Sequence, residues 1–298
     1  MLIGRYLPHI GGAQIQAHRL ACALQARGVT VKVLTRQERR LSASDAIDGI
    51  PVQRFWLPPL PVAALNALAM GLGIYRTLRR CAGKFDVLHV HQALYPAFFG
   101  VLAARTVGLP TIVKVTSSGY RFDLQILAGQ VGPIGHWAAR TLVRDTTAFI
   151  AINESIAADL QKWGVPQSRI FNIPNGVVVP LPQETVRRDQ LSLPANRPIL
   201  LTVGSLRAPK NQAVLIAALQ EVVKQGHNPL LLLLGDGDLR DSLQRQAAQL
   251  GLIPYVRFCG WVDNVQDYLA TADIFILPSL VEGLSNALME AMAQGLSC

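Results

Sequence analysis

Cysteine is scarce: four residues in 298, at Cys22, Cys81, Cys259 and Cys298, with no C-x-x-C pair and no spacing with His that suits a metal. A disulfide framework is excluded, and the thiols read as reduced and mostly buried, as in the cytoplasm. Charge is also sparse, at 16%, against 50% hydrophobic residues; a chain so composed fills buried cores and is not disordered. No apolar run is clean enough to cross a membrane. The nearest, from Leu57 to Leu78, is interrupted by Pro58, Pro59, Pro61, Asn66 and Arg76. Its middle, Val62 to Ile74, reads either as a core helix or as a surface helix dipping into a bilayer. Arg5 and Pro8 break the apolar opening, so no signal peptide is read. No G-x-G-x-x-G follows the first strand, and Gly235-Asp236-Gly237 does not complete one, which counts against a nicotinamide dehydrogenase.

Acid is missing from the first half in particular. Residues 1–178 hold 19 Lys/Arg against 8 Asp/Glu, a net of +11, whereas residues 179–298 hold 9 against 11, a net of −2. Such a basic half is either scattered solvated charge or the mark of an anionic partner, be it nucleic acid, an anionic membrane or a phosphate-bearing lipid. No basic–aromatic interleaving is present and the second half is acidic, so no nucleic acid is expected.

What is there is a long alternation of strands and helices. The length exceeds what one core usually holds, so two domains are expected. In the first half, strands are read over residues 1–6, 29–35, 85–91, 111–116 and 148–152. Helices follow them from about Ile15 to Leu24 and over 97–107, 134–144 and 154–163. Four prolines between Pro180 and Pro198 mark a boundary. A second run then begins with strands at 199–203, 230–234, 256–259 and 273–278, and helices at 211–225, 239–250, 265–271 and 286–294. The expected organisation is a first domain over 1–178, a linker over 179–197 and a second domain over 198–298. Each is a doubly wound, Rossmann-like α/β unit, in which ligands bind beyond the carboxyl ends of the strands.

Two constellations in the second domain carry chemistry. The first is Glu282-Gly283-Leu284-Ser285-Asn286-Ala287-Leu288-Met289-Glu290. Ser285 is a good N-cap, so Asn286 begins a helix whose first N–H groups suit an anion. Glu282 lies before that start and Glu290 just over one turn inside, so one carboxylate meets the reacting part of a ligand and the other a ribose. Two solvated helix-end acids are the plainer alternative. The second is Gly204-Ser205-Leu206-Arg207-Ala208-Pro209-Lys210, a strand end followed by two cations that neutralise a diphosphate, or else a basic exposed loop. In the first domain, Gly11-Gly12 lets a backbone come close to a ligand, and His91 ends a strand at the same edge. A satisfied structural histidine is the plainer reading of His91.

Taken together, these residues resemble the retaining GT-B glycosyltransferases of the group 1 type. The ordered matches are Pro8-His9-Ile10-Gly11-Gly12-Ala13, Asp86-Val87-Leu88-His89-Val90-His91, Ile173-Pro174-Asn175-Gly176-Val177, Gly235-Asp236-Gly237, Phe258-Cys259-Gly260, and Pro278-Ser279 followed by Glu282 through Glu290 with its E-x7-E spacing. The resemblance implies two Rossmann-like domains facing across a cleft. It implies transfer of a hexose-type sugar from a nucleotide-sugar to a glycan or lipid-linked acceptor, with retention and with no cofactor or catalytic metal. Cell-envelope polysaccharide synthesis in the cytoplasm fits such a reaction, with peripheral contact at the anionic inner membrane face motivated by the basic first half. By the same resemblance, Glu282 with the backbone of Gly283, Leu284, Ser285 and Asn286 holds the sugar and diphosphate. Glu290 binds the ribose, Lys210 the diphosphate, and the backbone from Gly260 to Val262 the base. Gly12 lies near the phosphate and acceptor, and His91 near the transferred sugar.

Departures accompany the resemblance. Ser205 stands where the family carries an arginine, with Arg207 two residues on as a candidate substitute. Gln14 stands where Glu is usual, and Ser118-Gly119 where a His-Gly pair is common. Relatives continue for about one more strand–helix set, so the second domain is expected to be incomplete. A nucleotide-sugar-binding fragment without turnover is the alternative reading, followed by a sugar-nucleotide epimerase of the same fold.

Overall fold

The computed structural model describes residues 1–9, 11–38, 40–56, 63–130, 132–179 and 188–298. The chain divides into two compact units, Met1–Gly176 and Val177–Cys298.

The first unit opens with β1 (Leu2–Ile3), α1 (Gly12–Gln25), β2 (Val33–Arg36), β3 (Ser44–Ile47), β4 (Ile50–Phe55) and α2 (Ala63–Arg80). It continues with β5 (Leu88–His91), α3 (Tyr95–Thr106), β6 (Thr111–Val115), α4 (Asp123–Gly129), α5 (Pro133–Asp145), β7 (Ala148–Ala151), α6 (Glu154–Lys162) and β8 (Ile170–Asn172). The sheet order is β3-β4-β2-β1-β5-β6-β7-β8, parallel throughout except for β3 at one edge. This is the doubly wound layout expected, with three strands and one helix that the periodicity reading passed over. β3 and β4 form a hairpin around Asp48-Gly49, whose φ angles of 49° and 77° suit the two central positions of a tight turn. The D-G dipeptide was the available signal, but β3 is short, polar and exposed. β8 and α4 are short as well, and a period needs more residues than they supply.

Helices cover both faces of this sheet. Ile3 packs with Ala17 and Ala21 of α1, whereas Leu2, Leu88 and Val90 close on Gly100 of α3. A Cβ at Gly100 would lie 2.5 Å from Leu2, so glycine lets α3 approach the sheet. Gly71 does the same where α2 meets Phe99 of α3.

The second unit runs β9 (Ile199–Val203), α7 (Gln212–Lys224), β10 (Leu230–Leu234), α8 (Arg240–Gln249), β11 (Val256–Gly260), α9 (Val265–Thr271), β12 (Ile274–Phe275) and α10 (Asn286–Ala293). Its parallel sheet has the order β11-β10-β9-β12. β10 is five leucines, and its alternation feeds two cores. Leu230, Leu232 and Leu234 pack with Leu201, Leu269 and Phe275 on one face. Leu231 and Leu233 pack with Ile216, Leu219 and Leu243 on the other. Each such burial contributes about 2 kcal/mol. Ser297 forms a parallel bridge to Ile274 at the β12 edge.

Of the segment read as a linker, residues 180–187 lie outside the described residues. The part from Arg188 onward is fastened to the second unit. The Arg188 guanidinium donates to Asp273 at 2.7 and 2.8 Å and to the Thr271 carbonyl at 3.1 Å, while Asp273 accepts the Ile199 N–H at 2.6 Å.

Candidate functional site

In the second unit the loops after β9, β10, β11 and β12 all leave the carboxyl edge of one parallel sheet. Glycine sets how closely they lie. Gly235 ends β10 with φ 126°, and a Cβ there would fall 2.1 Å from the Gly204 carbonyl oxygen at the end of β9. Its N–H donates to the Gly260 carbonyl at the end of β11, at 2.7 Å. Three strand ends are thus drawn together by residues whose missing side chains make the approach possible.

Against this edge the structure brings two predicted residues into contact. Lys210, in a 3₁₀ turn before α7, places Nζ 2.5 Å from Oε1 of Glu282. Both side chains are half-buried, with 28% and 24% exposed. The backbone holds the same loops, since the Leu280 N–H donates to the Pro209 carbonyl at 2.9 Å. Gly283 and Leu284 follow. Ser285 then caps α10, its hydroxyl accepting the Leu288 N–H at 3.3 Å. Asn286 opens the helix, whose first turn holds no acid to repel an anion. Glu290 is buried eight residues after Glu282. At the same edge Ser279 Oγ and Gln212 Oε1 are buried without a hydrogen-bond partner, an unmet capacity that a polar ligand would fill.

Arg207 does not join them. Its side chain is 64% exposed and stands 3.9 Å from Asp238, while Ser205 is also exposed and its carbonyl accepts from the Gln212 side chain and the Arg207 N–H. Leu206 between them is buried at the centre of a tight turn in which the Arg207 N–H donates to the Ser205 carbonyl at 2.9 Å, and both neighbours stay on the outside. Arg240, which the sequence reading left aside, takes a more inward place. It is 3.6 Å from Asp236, and its Nη1 would lie 3.2 Å from a Cβ on Gly260. Gly260 adopts φ 70° and Val262 is half-buried against the core. The signal for Arg240 was its position at the first residue of the helix after Gly235-Asp236-Gly237.

Gly12 and His91 belong to the first unit. Gly12 begins α1, which has no acid in its first turn. His91 ends β5, is buried, and stacks on His89 with ring centroids 4.5 Å apart. Nε2 of each ring is buried without a partner. Burial holds His91 well below its ordinary pKa and pulls His89 down to about 4, with nearby cationic groups adding to both effects, so both imidazoles are neutral near pH 7. Lys114 stands opposite His91 in register on β6, and burial lowers its ammonium to about 8. A single Lys inside the apolar strand Thr111–Val115 was the trace of it in the sequence. Asp123 was also missed. It is buried at the start of α4 and accepts from the Ala93 N–H at 3.0 Å and the Thr116 N–H at 3.3 Å. It thereby joins the loop after β5 to the loop after β6. Burial raises its pKa, against the hydrogen bonds that favour the carboxylate.

Comparison with known proteins agrees with this layout. Residues 11–176 match the glycosyl transferase 4-like domain, and residues 197–298 match the glycosyl transferases group 1 domain. The chain therefore belongs to this family of glycosyltransferases. It is 26% identical over 258 residues to the UDP-Gal:alpha-D-GlcNAc-diphosphoundecaprenol alpha-1,3-galactosyltransferase of Escherichia coli, an alignment covering 83% of this chain and 65% of that protein. It is 28% identical over 307 residues to the phosphatidyl-myo-inositol mannosyltransferase of Mycobacterium tuberculosis, covering 99% of this chain and 76% of that one. The crystal structure of Anabaena HepE in complex with UDP and glucose superposes with a TM-score of 0.77 at 21% identity, over 99% of this chain and 78% of that one. The fold is that of the GT-B glycosyltransferases. The chain spans between about two thirds and four fifths of the length of these three proteins.

Proposed function

We propose that this protein transfers a hexose-type sugar from a nucleotide-sugar donor to a glycan or lipid-linked acceptor, with retention at the anomeric carbon. The observation that carries the reading is the Lys210–Glu282 contact at the head of α10, with Glu290 buried eight residues further on. A cation, a carboxylate and a helix N-terminus meet at the carboxyl edge of a parallel sheet, where diphosphates bind in such folds.

In this reading the donor diphosphate displaces the Lys210 ammonium from Glu282, which then accepts hydroxyls of the sugar. The amides from Gly283 to Asn286 face the sugar and phosphates, Glu290 takes the ribose, and the backbone from Gly260 to Val262 meets the base. The acceptor hydroxyl oxygen forms a bond to the anomeric carbon as the bond from that carbon to the diphosphate oxygen breaks. The electron pair leaves with the nucleoside diphosphate, and the hydroxyl proton passes to a phosphate oxygen on the same face. Lys210 stabilises the charge that develops on the leaving group, so the reaction needs neither a protein general base nor a metal. In the first unit Gly12 serves the phosphate and acceptor. The neutral imidazole of His91 hydrogen-bonds the transferred sugar without adding charge. The +11 charge of residues 1–178 supports peripheral contact with the anionic inner face of a membrane in cell-envelope polysaccharide synthesis.

The test is incubation with UDP-, GDP- and ADP-sugars and candidate acceptors, with the anomeric configuration of the product read by NMR. An axial product from an axial donor is expected. Inversion would contradict the mechanism, and epimerised nucleotide-sugar would make the chain an epimerase. Binding without transfer or hydrolysis would favour a binding role, a second reading motivated by Ser205 and the outward Arg207.

A further inference from the structure

The middle strands of the first sheet are apolar on one face only. Leu88 and Val90 of β5 close on Gly100 of α3, so His89 and His91 face the other way. Ile3 lies in register with His91 and packs on Ala17 and Ala21, which places both imidazoles on the α1 face. Lys114 of β6, in register with His91, shares that face. His91 is the last residue of β5 and Lys114 the last but one of β6, so both lie at the carboxyl edge.

A parallel sheet covered on both sides is expected to be apolar there. Instead it buries Lys114 with 7% of its surface open and His91 with 2%. Nε2 of His89 and of His91 has no partner, and among the described residues no hydrogen bond or ion pair reaches the Lys114 ammonium. The outside charges that act on the two rings, Lys114 and the Met1 amino group, are both cationic. Burial lowers Lys114 to about 8, whereas a carboxylate at hand would raise it. Asp123, the buried acid of this edge, is engaged by the Ala93 and Thr116 N–H groups. Arg54 shows how the same unit treats a structural cation. Its side chain is 1% exposed, and it donates to the Ser42 carbonyl at 2.8 Å with Asp45 3.6 Å away. Lys114 has no such partner within the unit, and an unpaired buried ammonium costs stability that a ligand would restore.

Charge identifies that ligand. Near pH 7 the ammonium is mostly protonated and both imidazoles are neutral, so the cluster carries one positive charge and two uncharged hydrogen-bonding rings. A carboxylate matches it with one negative charge. A phosphate monoester brings about two and would leave the buried cluster negative. We infer that Lys114 binds the carboxylate of a hexuronic acid, the transferred sugar, with the His91 ring beside it completing the site. The inference rests on the transferase reading, in which His91 meets that sugar, and it makes Lys114 the residue that selects an acidic sugar over a neutral one. A neutral sugar leaves the ammonium unpaired, so the site rejects it as well as attracting its acidic counterpart.

Calorimetric titration of the whole chain tests this with matched donors, UDP-glucuronic acid against UDP-glucose and GDP-mannuronic acid against GDP-mannose. In one pair the uronate should bind about ten- to a hundred-fold more tightly than the neutral sugar, as a charge-assisted contact predicts. Lys114→Met, close in volume and uncharged, should bring the two members within about three-fold of each other without lowering the melting temperature. Lys114→Gln, which keeps a donor but no charge, should fall between. Loss of a merely structural residue would weaken both members alike and leave their ratio unchanged. Equal affinities in the wild type, or a uronate preference that survives Lys114→Met, would overturn the inference and leave the transferase reading standing. So would uronate dependence found only in the acceptor, since the carboxylate would then not be on the transferred sugar. Free glucuronate held through Lys114, with no nucleotide or nucleotide-sugar bound, would sink the transferase reading and keep the carboxylate site. No binding of any of these probes would overturn both.

Discussion

The two units treat charge in opposite ways. The second unit gathers its ions in opposite-sign contacts at one sheet edge: Lys210 with Glu282, Arg240 with Asp236, Arg207 with Asp238. The first unit does gather Arg5, His9 and Arg36 around Glu38 after β2, but it keeps His89 and His91 uncharged by burial and turns most of the arginines of its outer helices to solvent with no acid beside them. Groups held in exchangeable ion pairs at a mouth are ready to swap one partner for an anionic ligand. Groups stripped of water and kept neutral serve instead as uncharged hydrogen-bonding surface. Unpaired cations on an exterior face attract a partner from outside. The difference motivates the proposal that donor phosphates bind in the second unit, and that an uncharged hydroxyl-bearing acceptor and a membrane meet the first.

The comparison breaks most readily at Lys210. Lys210→Ala should lower kcat by about a hundred- to a thousand-fold, because the charge on the departing diphosphate loses its cation. Arg207→Ala, facing solvent, should change kcat by less than about three-fold; equal losses would mean that the exposed arginine closes onto the ligand. The buried histidines come next. A ring whose folded pKa lies below its unfolded value of about 6.5 binds fewer protons folded than unfolded, so its stability contribution is complete above that value. For His89 it is then lost as pH falls toward about 4, a span worth about 3 kcal/mol. Urea midpoints measured from pH 7.5 to 4.5 should fall across that window, and His89→Gln should flatten the slope. Asp123→Ala strands the buried Ala93 N–H and the part-buried Thr116 N–H and should cost about 2–3 kcal/mol in urea unfolding. A cost below about 0.5 kcal/mol would mean that water replaces the carboxylate. Smallest is Ser285→Ala, which removes the cap of α10 for about 1 kcal/mol and should raise the Kd for nucleotide only a few-fold.

The second unit was more legible in the sequence than the first, for a physical reason. Its strands at Ile199–Val203 and Leu230–Leu234 are buried on both faces, and such strands write themselves as unbroken apolar runs. β3 is an exposed edge strand of Ser, Asp, Ala and Ile, and β1 is only Leu2–Ile3 of the six residues read as strand. Neither carries enough pattern to be bounded. Among site residues, the Ser285 cap and the places of Glu282 before α10 and Glu290 inside it were readable because helix starts have chemical signatures, whereas the burial of Glu290 was not. The outward turn of Arg207 was not, since it depends on Leu206 being drawn into the core. Arg240, Lys114 and Asp123 become meaningful only when the sheet sets separate segments side by side.

The central claim is that the carboxyl edge of the second unit is a nucleotide site, and thermal-shift titration of the chain with UDP, GDP and ADP tests it directly. A ligand that binds the folded state must raise the midpoint. The account predicts a saturable rise with one of the three nucleotides and its loss in Glu290→Ala, whose own melting stays cooperative. A cooperative melt that none of the three moves, or a rise that survives Glu290→Ala unchanged, would contradict it.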